Sequence, residues 1–382
     1  MTIWNFNLRH LRAAAEIDRL GTINAAAETV SLTQPAITQA IVKLEAQLGL
    51  PLFERRHDGM EPAAAAEMFV PRIYAALDFI GSNRVTMTQV RALIALGEAG
   101  SYVGASAATR LAQPTLHRAV SDLSLALRRT LVERRGKGLM LASGGKQTLR
   151  AFRLARAELE AGLSEIEVLK GRETGRLSIG AMPLSRARIL PSAIAALHAR
   201  FPEVRINVVE GSWQELVEPL RDGEIDLMVG ALRDPAPGDD LVQMPLFEDV
   251  PVILGRKGHP LVGSKPSLTE LAKYPWIIAA VGTPLRTSWE RIFTDSDMAV
   301  PEVPIECGSV MMIRQILIAS DFLTLLSPDQ VAVELEAGWL DIIGDVPADL
   351  VRTIGVTMRA GWRPTVKQKA FIAQLNSGNI IG

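Results

Sequence analysis

"SLTQPAITQAIVKLEAQLG" occupies residues 31–49, and "RLAQPTLHRAVSDLSLALR" occupies residues 110–128. The two stretches lie 79 positions apart and carry Leu-x-Gln-Pro at the same place. Extended outward, residues 6–56 align with residues 85–135 without a gap, and 14 of these 51 positions are identical. The identities include Arg12/Arg91, Gly21/Gly100, Ala26/Ala105, Gln34/Gln113, Pro35/Pro114, Leu44/Leu123 and Leu52/Leu131. Both copies close on Glu-Arg-Arg, at 54–56 and 133–135. A gap-free match of this length describes one fold unit present twice, and two copies are too few for a solenoid.

Each copy reads as three helices and a hairpin. In the first copy, Leu8, Leu11, Ala15 and Ile17 fall near helical spacing, which predicts a helix over 8–19. Gly21 ends it, and Thr22 can cap a second helix over 23–29. A short turn leads to a third helix over 34–47, where Pro35 suits the first turn and Ile37, Ile41, Leu44 and Leu48 form the buried stripe. "LGLPLFERRHDGMEP" follows, with turn-forming Pro51 and Asp58-Gly59, and reads as a two-stranded wing. This is the winged helix-turn-helix plan. Gln34, Thr38 and Gln39 fall on the exposed face near the start of the third helix, where amide and short polar side chains reach base edges in a major groove. They could also merely solvate a helix face; Gln113, Thr115, His117 and Arg118 at the same places in the second copy favour base contact. Thr33, Pro35 and Pro114 at the helix starts, and Arg55, Arg56, Arg134 and Arg135 on the wings, complete the candidate DNA contacts.

Charge separates the copies. Residues 1–60 hold six basic and six acidic side chains; residues 84–150 hold eleven basic against three acidic, a net of +8. Affinity for DNA rests mainly on phosphate neutralisation, so the second copy has the stronger electrostatic footprint. Charge reversal at Arg118 and Arg134 is therefore expected to weaken binding more than the same change at Arg12 and Arg55.

The whole chain has 382 residues, 48% hydrophobic and 22% charged, with a net charge of −1. That length suggests two or three domains at roughly 150 residues each, and the balance is that of a folded protein. The single cysteine, Cys307, excludes an intrachain disulfide and any multi-cysteine metal site, and reads as a small core residue. The amino terminus lacks a basic region followed by a long apolar one, and no apolar run reaches 18 residues. Neither a signal peptide nor a membrane span is expected, and a cytoplasmic location fits.

The stretch "LRHLRAAAEIDRLGTINAAAETVSLTQPAITQAIVKLEAQLGLPLFER" resembles the amino-terminal domain of LysR-type transcriptional regulators. The resemblance rests on Leu-Arg-x-Leu at 8–11, Ala-Ala-Ala-Glu at 25–28, Thr-Gln-Pro-Ala at 33–36, Leu-Glu at 44–45 and Leu-Gly-x-Pro-Leu-Phe-Glu-Arg at 48–55. The second copy is looser, with Ser124 where the family has glutamate and Arg128 where it has glycine. It continues as "RRGKGLMLASGGKQTLRAF", which looks like the family's wing leading into its linker helix. A usual member has one such domain, so two copies leave open which one reads bases. A branch controlling sugar or aromatic-acid catabolism is similar in its duplicated end. That resemblance implies a small polar or anionic effector, a sugar or an aromatic acid.

Two long helices flank the second copy. "PAAAAEMFVPRIYAALDFI" (62–80) reads as a helical connector that Pro71 should kink or interrupt. Residues 145–170 place Leu149, Phe152, Leu159, Leu163, Ile166 and Leu169 near heptad spacing. The resemblance implies that this helix pairs two subunits; packing on its own domain is the alternative. The glycines before Lys146 do not make a phosphate loop, because Met140 and Gln147 stand where glycine and a magnesium-binding hydroxyl are needed.

From residue 175 strands and helices alternate, which implies a parallel sheet covered by helices. There is enough chain for two α/β subdomains, with a crossing near 251–255 and a late return. "GRLSIGAMPLSRARILP", "FPEVRINVVEG", "LRDGEIDLMVG" and "GHPLV" resemble the family's effector domain, a shape shared with periplasmic binding proteins. "IASDFLTLLSP" departs from the family's small-residue version of that stretch. Ligands in such folds sit where strand ends and helix amino-termini converge. Candidates are Pro183, Ser185 and Arg186 after the first strand, Ser212 and Trp213 at a helix start, and Thr283, Arg286 and Ser309 from the second subdomain. Arg186 or Arg286 could pair with a carboxylate, and the amides at Ser212 could hold an anion.

The expected architecture is thus multidomain. Two α-rich winged helix-turn-helix domains (1–60 and 85–142), the first followed by a connector (61–84), lead to a linker helix (143–174). An α/β effector domain of two periplasmic-binding-protein-like subdomains follows (175–382). The expected function is a ligand-responsive DNA-binding regulator whose partners are double-stranded DNA, a small-molecule effector and further copies of itself, as homodimer or homotetramer. The alternative is a small-molecule-binding or assembly module whose winged helices dimerise without reading DNA. No nucleophile–base pair, no His-Glu-x-x-His and no clustered histidines are found, so neither an enzyme, a metal nor a cofactor is expected.

Overall fold

The computed structural model describes residues 2–57, 59–135, 138–344, 346 and 350–377, with residues 134, 135, 138 and 377 described by backbone alone. The chain divides into two compact units, Met1–Arg176 with the short segments Glu203–Arg205 and Arg221–Glu224, and the remainder.

In the first unit a 3-10 turn, Ile3–Asn5, precedes α1 (Leu8–Leu20), α2 (Ile23–Thr29) and α3 (Gln34–Leu48). The hairpin of β1 (Phe53–Arg56) and β2 (Gly59–Pro62) is the wing, and α4 (Ala64–Ile80) follows. The second copy repeats the order as α5 (Met87–Ala99), α6 (Tyr102–Thr109), α7 (Gln113–Leu127), β3 (Val132–Arg135), β4 (Gly138–Leu141) and α8 (Ser143–Leu169). Local chemistry explains the boundaries. Asn7, Thr22 and Thr33 cap α1, α2 and α3 through their side-chain oxygens, and Pro35 lies in the first turn of α3. Gly21 closes α1 in the left-handed region, at φ 72°. Leu8, Leu11, Ile17, Ile37, Ile41, Leu44 and Leu48 are all buried.

The repeat extends beyond the wings. With the same offset of 79, six positions of α4 and α8 are buried in both helices: Ala66/Gly145, Phe69/Thr148, Val70/Leu149, Ile73/Phe152, Ala76/Ala155 and Ile80/Leu159. The two helices pack on each other and share one core with both copies. Gly162 lies against Phe69, where a side chain would not fit. Of the heptad face expected to meet a second subunit, Leu149, Phe152, Leu159 and Ile166 are buried within the chain itself, Leu163 is half-buried and Leu169 is exposed. The alanine-rich connector supplies the matching stripe. Nor does Pro71 interrupt α4. It sits on the exposed face, where the carbonyl of Glu67, one turn back, can be solvated.

The remaining elements are β5 (Gly175–Ala181), α9 (Ile189–Arg200), β6 (Val204–Glu210), α10 (Trp213–Arg221), β7 (Leu227–Ala231) and β8 (Leu241–Asp249), then β9 (Val252–Arg256), α11 (Leu268–Leu271), β10 (Ile277–Ile278), α12 (Pro284–Thr294), β11 (Ile305–Glu306), α13 (Val310–Ile318), β12 (Thr324–Leu326), α14 (Ala332–Glu336), β13 (Leu340–Gly344), β14 (Arg352–Arg359) and α15 (Val366–Ser377). They build two lobes. A five-stranded sheet has the order β6-β5-β7-β14-β8; a three-stranded sheet has the order β12-β9-β13, beside the parallel pair β10-β11. The chain passes from the first lobe to the second between β8 and β9 and returns between β13 and β14.

The five-stranded sheet is mixed and the three-stranded one antiparallel, which corrects the expectation of a parallel sheet. β5 and β7 run parallel, but β14 is antiparallel to β7 and β8, and β9 is antiparallel to both its neighbours. The strand–helix alternation describes the early strands of the first lobe and the pair β10-β11, joined by α12, in the second. The returning strand enters from the other end, and β8 carries Pro245, tolerated because β8 is an edge strand. The second lobe is built around Trp276, Trp289 and Phe293, with ring centroids 5.3–6.0 Å apart.

Candidate nucleic-acid interface and effector site

On α3, the buried residues Ile37, Ala40, Ile41, Leu44 and Leu48 leave Gln34, Pro35, Thr38 and Gln39 exposed, with Thr33 exposed as the cap. Gln34 and Gln39 present free amides; the Thr38 hydroxyl donates back to the Gln34 carbonyl at 3.1 Å. On α7, Leu116, Ala119, Val120 and Leu123 are buried, and Gln113, Pro114, Thr115, His117 and Arg118 are exposed. Tyr102, Ser106, Gln113, Pro114 and His117 line one shallow recess, with the Tyr102 and His117 rings 5.2 Å apart. Every candidate on the two third helices thus lies on an outward face.

The charged candidates separate. Arg118, Arg110, Arg128 and Arg129 are exposed, and none is ion-paired among the described residues. Arg55 is likewise exposed on the first wing. Arg56 is not free: it pairs with Glu54 at 2.9 Å and Glu61 at 2.7 Å. The side chains of Arg134 and Arg135 lie outside the described residues. Arg12, expected as a surface charge of the first copy, is instead a brace. Its guanidinium donates to the carbonyls of Ser82 and Asn83, and burial, then neighbouring Arg9, lowers its pKa.

In the first lobe, Gly211 N–H bonds the Ala181 carbonyl at 3.3 Å and Met182 N–H bonds the Val229 carbonyl at 3.1 Å, so the ends of β5, β6 and β7 lie together. Pro183, Arg186, Ser212 and Trp213 follow these ends. Two of the expected anion-binding features are already occupied. The Arg186 guanidinium donates to the carbonyls of Ala181 (3.0 Å) and Gly211 (3.3 Å) and pairs with Glu210 at 3.0 Å. At the start of α10, Glu215 takes both the N–H and the hydroxyl of Ser212 at 2.8 Å, which holds its carboxyl below the usual range. Ser185 is fully buried and donates to the Met182 carbonyl.

In the second lobe, Thr283 caps α12 and Ser309 caps α13, after the ends of the parallel strands β10 and β11. Arg286 is taken up by Glu290 at 2.7 Å and Glu306 at 3.3 Å and lies over Trp289. Half-buried Cys307 packs against the lobe's core and accepts from the Ser309 N–H at 3.4 Å. Two groups escaped the sequence reading. Arg233, just beyond β7, lies over the Trp213 ring at 5.1 Å; its Nε is buried without a partner, and burial lowers its pKa. Buried Asp249, at the end of β8, accepts from Arg352 Nε of β14 at 2.6 Å and from the Ser327 hydroxyl of the second lobe at 2.5 Å, which ties both crossing strands together. No alternation or motif signals either residue. Among the described residues no cluster of three or more metal-ligating side chains occurs, and no helix is long and apolar enough to cross a membrane.

Two winged helix-turn-helix units followed by a two-lobed α/β unit define a DNA-binding regulator with a ligand-binding domain. The description of the bacterial regulatory helix-turn-helix protein, lysR family, matches twice, at residues 8–67 and 87–146, and that of the LysR substrate binding domain matches residues 170–379. The HTH-type transcriptional regulator GalR of Pseudomonas putida is 31% identical over 368 residues, covering 93% of either chain. A full-length OxyR variant from Pseudomonas aeruginosa shares the fold, with a TM-score of 0.58 at 20% identity over 76% of this chain and 97% of that one. CbnR complexed with its target DNA does so at a TM-score of 0.54 and 16% identity, over 76% and 98%. The chain belongs to the LysR family of transcriptional regulators, with an effector-binding domain.

Proposed function

We propose that this regulator binds double-stranded DNA through the outward faces of α3 and α7. The residues are Thr33, Gln34, Pro35, Thr38 and Gln39 on one, and Gln113, Pro114, Thr115, His117 and Arg118 on the other, with Arg55 of the first wing and Arg134 and Arg135 of the second on phosphates. The observation that carries this is Arg118: an exposed arginine without a carboxylate partner among the described residues, one turn into a helix whose opposite face is buried. The test is gel retardation of the DNA upstream of its own gene at low salt. Gln34→Ala and Gln113→Ala are expected to weaken sequence-specific binding by about 1–3 kcal/mol each. Failure of the unaltered chain to retard any such fragment would refute the proposal.

The effector, on this reading, is a small polar or anionic metabolite, a sugar or an aromatic acid, held at the strand-end edges of the two lobes. It is bound there by a homodimer or homotetramer. Arg186 and Arg286 brace the site rather than take the ligand, since each already has carboxylate partners. Arg233 over Trp213 is the better anchor, and a planar cation stacked on an indole favours an aromatic acid over a sugar. Thermal-shift measurement on the full chain with benzoate-type acids, sugars and dicarboxylates tests this. An aromatic acid should raise the melting temperature, and Arg233→Ala should abolish the rise. A response to sugars alone, indifferent to Arg233, would replace the acid with the sugar.

A further inference from the structure

We propose that one chain by itself carries a complete two-headed DNA-reading unit. Its two winged copies are paired through α4 and α8, and a single molecule reads two unlike half-sites. This rests on the DNA-binding reading above and adds what the bound DNA must look like.

The pairing has the reciprocity of a two-fold interface, in which residue i meets j and the counterpart of i meets the counterpart of j. Arg12 of α1 reaches the carbonyls of Ser82 and Asn83, which lie just before the second copy. Its counterpart Arg91 of α5 lies 5.9 Å from the ring of Trp4, the residue that corresponds to Asn83. Within each copy the helices repeat the same packing, α1 on α4 and α5 on α8, and the copies join where α4 packs on α8.

The lock at the centre is not symmetric. Arg72 of α4 is buried and pairs with Glu158 at 3.1 Å and Glu165 at 2.6 Å, both on α8. Burial alone would lower its pKa, but the two carboxylates raise it. The counterpart of Arg72 on α8 is Ala151. Two α8 helices from different chains would therefore bring together four carboxylates without the counterpart of Arg72 that pairs with them here. The lock selects α4 with α8, and the short link from Ile80 to Met87 tethers the second copy, α8 with it, close to α4.

The paired heads read different sequences. Gln34 and Gln113 correspond, but Thr38 faces its groove where His117 does, and Gln39 where Arg118 does. An arginine in the major groove suits guanine, whereas a glutamine suits adenine. The two half-sites are therefore not repeats of one motif.

The experiment uses the full chain and DNA selected from a random-sequence pool at low salt. Native mass spectrometry counts chains per complex, and hydroxyl-radical footprinting counts protected segments. Two protected segments per chain are expected, with Arg118→Ala changing base preference in one segment and Gln39→Ala in the other. One segment per chain, or both variants acting on the same segment, would overturn the pairing and leave the DNA-binding reading intact; no protection on any DNA would overturn that reading itself.

Discussion

The two winged copies share a fold but are built to different priorities. In the first, Thr33 caps the third helix, Glu45 accepts the N–H groups of Leu52 and Phe53 at 2.8 and 3.3 Å, and Gly49 takes the left-handed turn at φ 72°. In the second, the corresponding residues are Ala112, Ser124 and Arg128. Ala112 provides no side-chain cap, serine is too short to tether the wing as the glutamate does, and Arg128 is held at φ 52° where glycine is favoured. The second copy gives up local stability at each point, and at Arg128 gains an exposed positive charge. The first keeps its fold and cancels its charge, as Arg56 between Glu54 and Glu61 illustrates. Such unequal copies suit a head in which both halves read bases and the second carries more of the phosphate anchoring.

The comparison can be broken at several points. The largest effect on stability is expected at the joint between the copies. Arg72→Ala strands Glu158 and Glu165 and should cost about 3 kcal/mol, seen as a lower denaturant midpoint for the first unit. An unchanged midpoint would mean the helices hold without the lock. Glu45→Ala should cost about 1.5 kcal/mol through two lost charge-assisted bonds, while Ser124→Ala should cost almost nothing. Comparable losses would erase the contrast between the wings. Arg128→Gly should stabilise the second copy by about 1 kcal/mol and weaken DNA binding at the same time, a trade that melting and retardation measurements on one variant would show together.

A smaller effect involves His10, whose counterpart is Gln89. Burial, then the positive charge of Lys43, lowers its pKa below the usual 6.5. Below that pH the unfolded chain binds the proton more readily than the folded one, so stability is lost as pH falls through this range and is fully present above it. His10→Gln should flatten the acid side of the melting profile; an unchanged profile would place the titration elsewhere.

Much of this was legible in the sequence because it is local. Gly21, Thr22, Thr33 and Pro35 mark boundaries through chemistry within a turn, and the apolar stripe of α3 follows from helical spacing. The joint was not legible: Arg72 finds its carboxylates 86 and 93 positions away, and α4, rich in alanine, resembles a passive connector. The effector site shows the same limit. The strand-end loops carrying Pro183, Ser212, Thr283 and Ser309 follow from alternation of strand and helix. That Arg186 and Arg286 are already paired depends on Glu210, Glu290 and Glu306, whose approach only the folded lobes create. Arg233 and Asp249 carry no pattern at all, since a single buried charge has no periodicity.

The division of labour between the copies is tested most directly by salt dependence. The affinity of the full chain for its DNA would be measured against salt for two matched variants, Lys43→Ala/Arg55→Ala/Arg56→Ala and Arg110→Ala/Arg128→Ala/Arg129→Ala, exposed arginines of the second copy outside the base-reading face. Each lost phosphate contact should reduce the slope of log affinity against log salt by about 0.9. The variant in the second copy should flatten the slope by nearly three contacts, and that in the first by clearly fewer. Equal flattening, or a steeper loss from the first copy, would contradict the assignment of the second as the anchor.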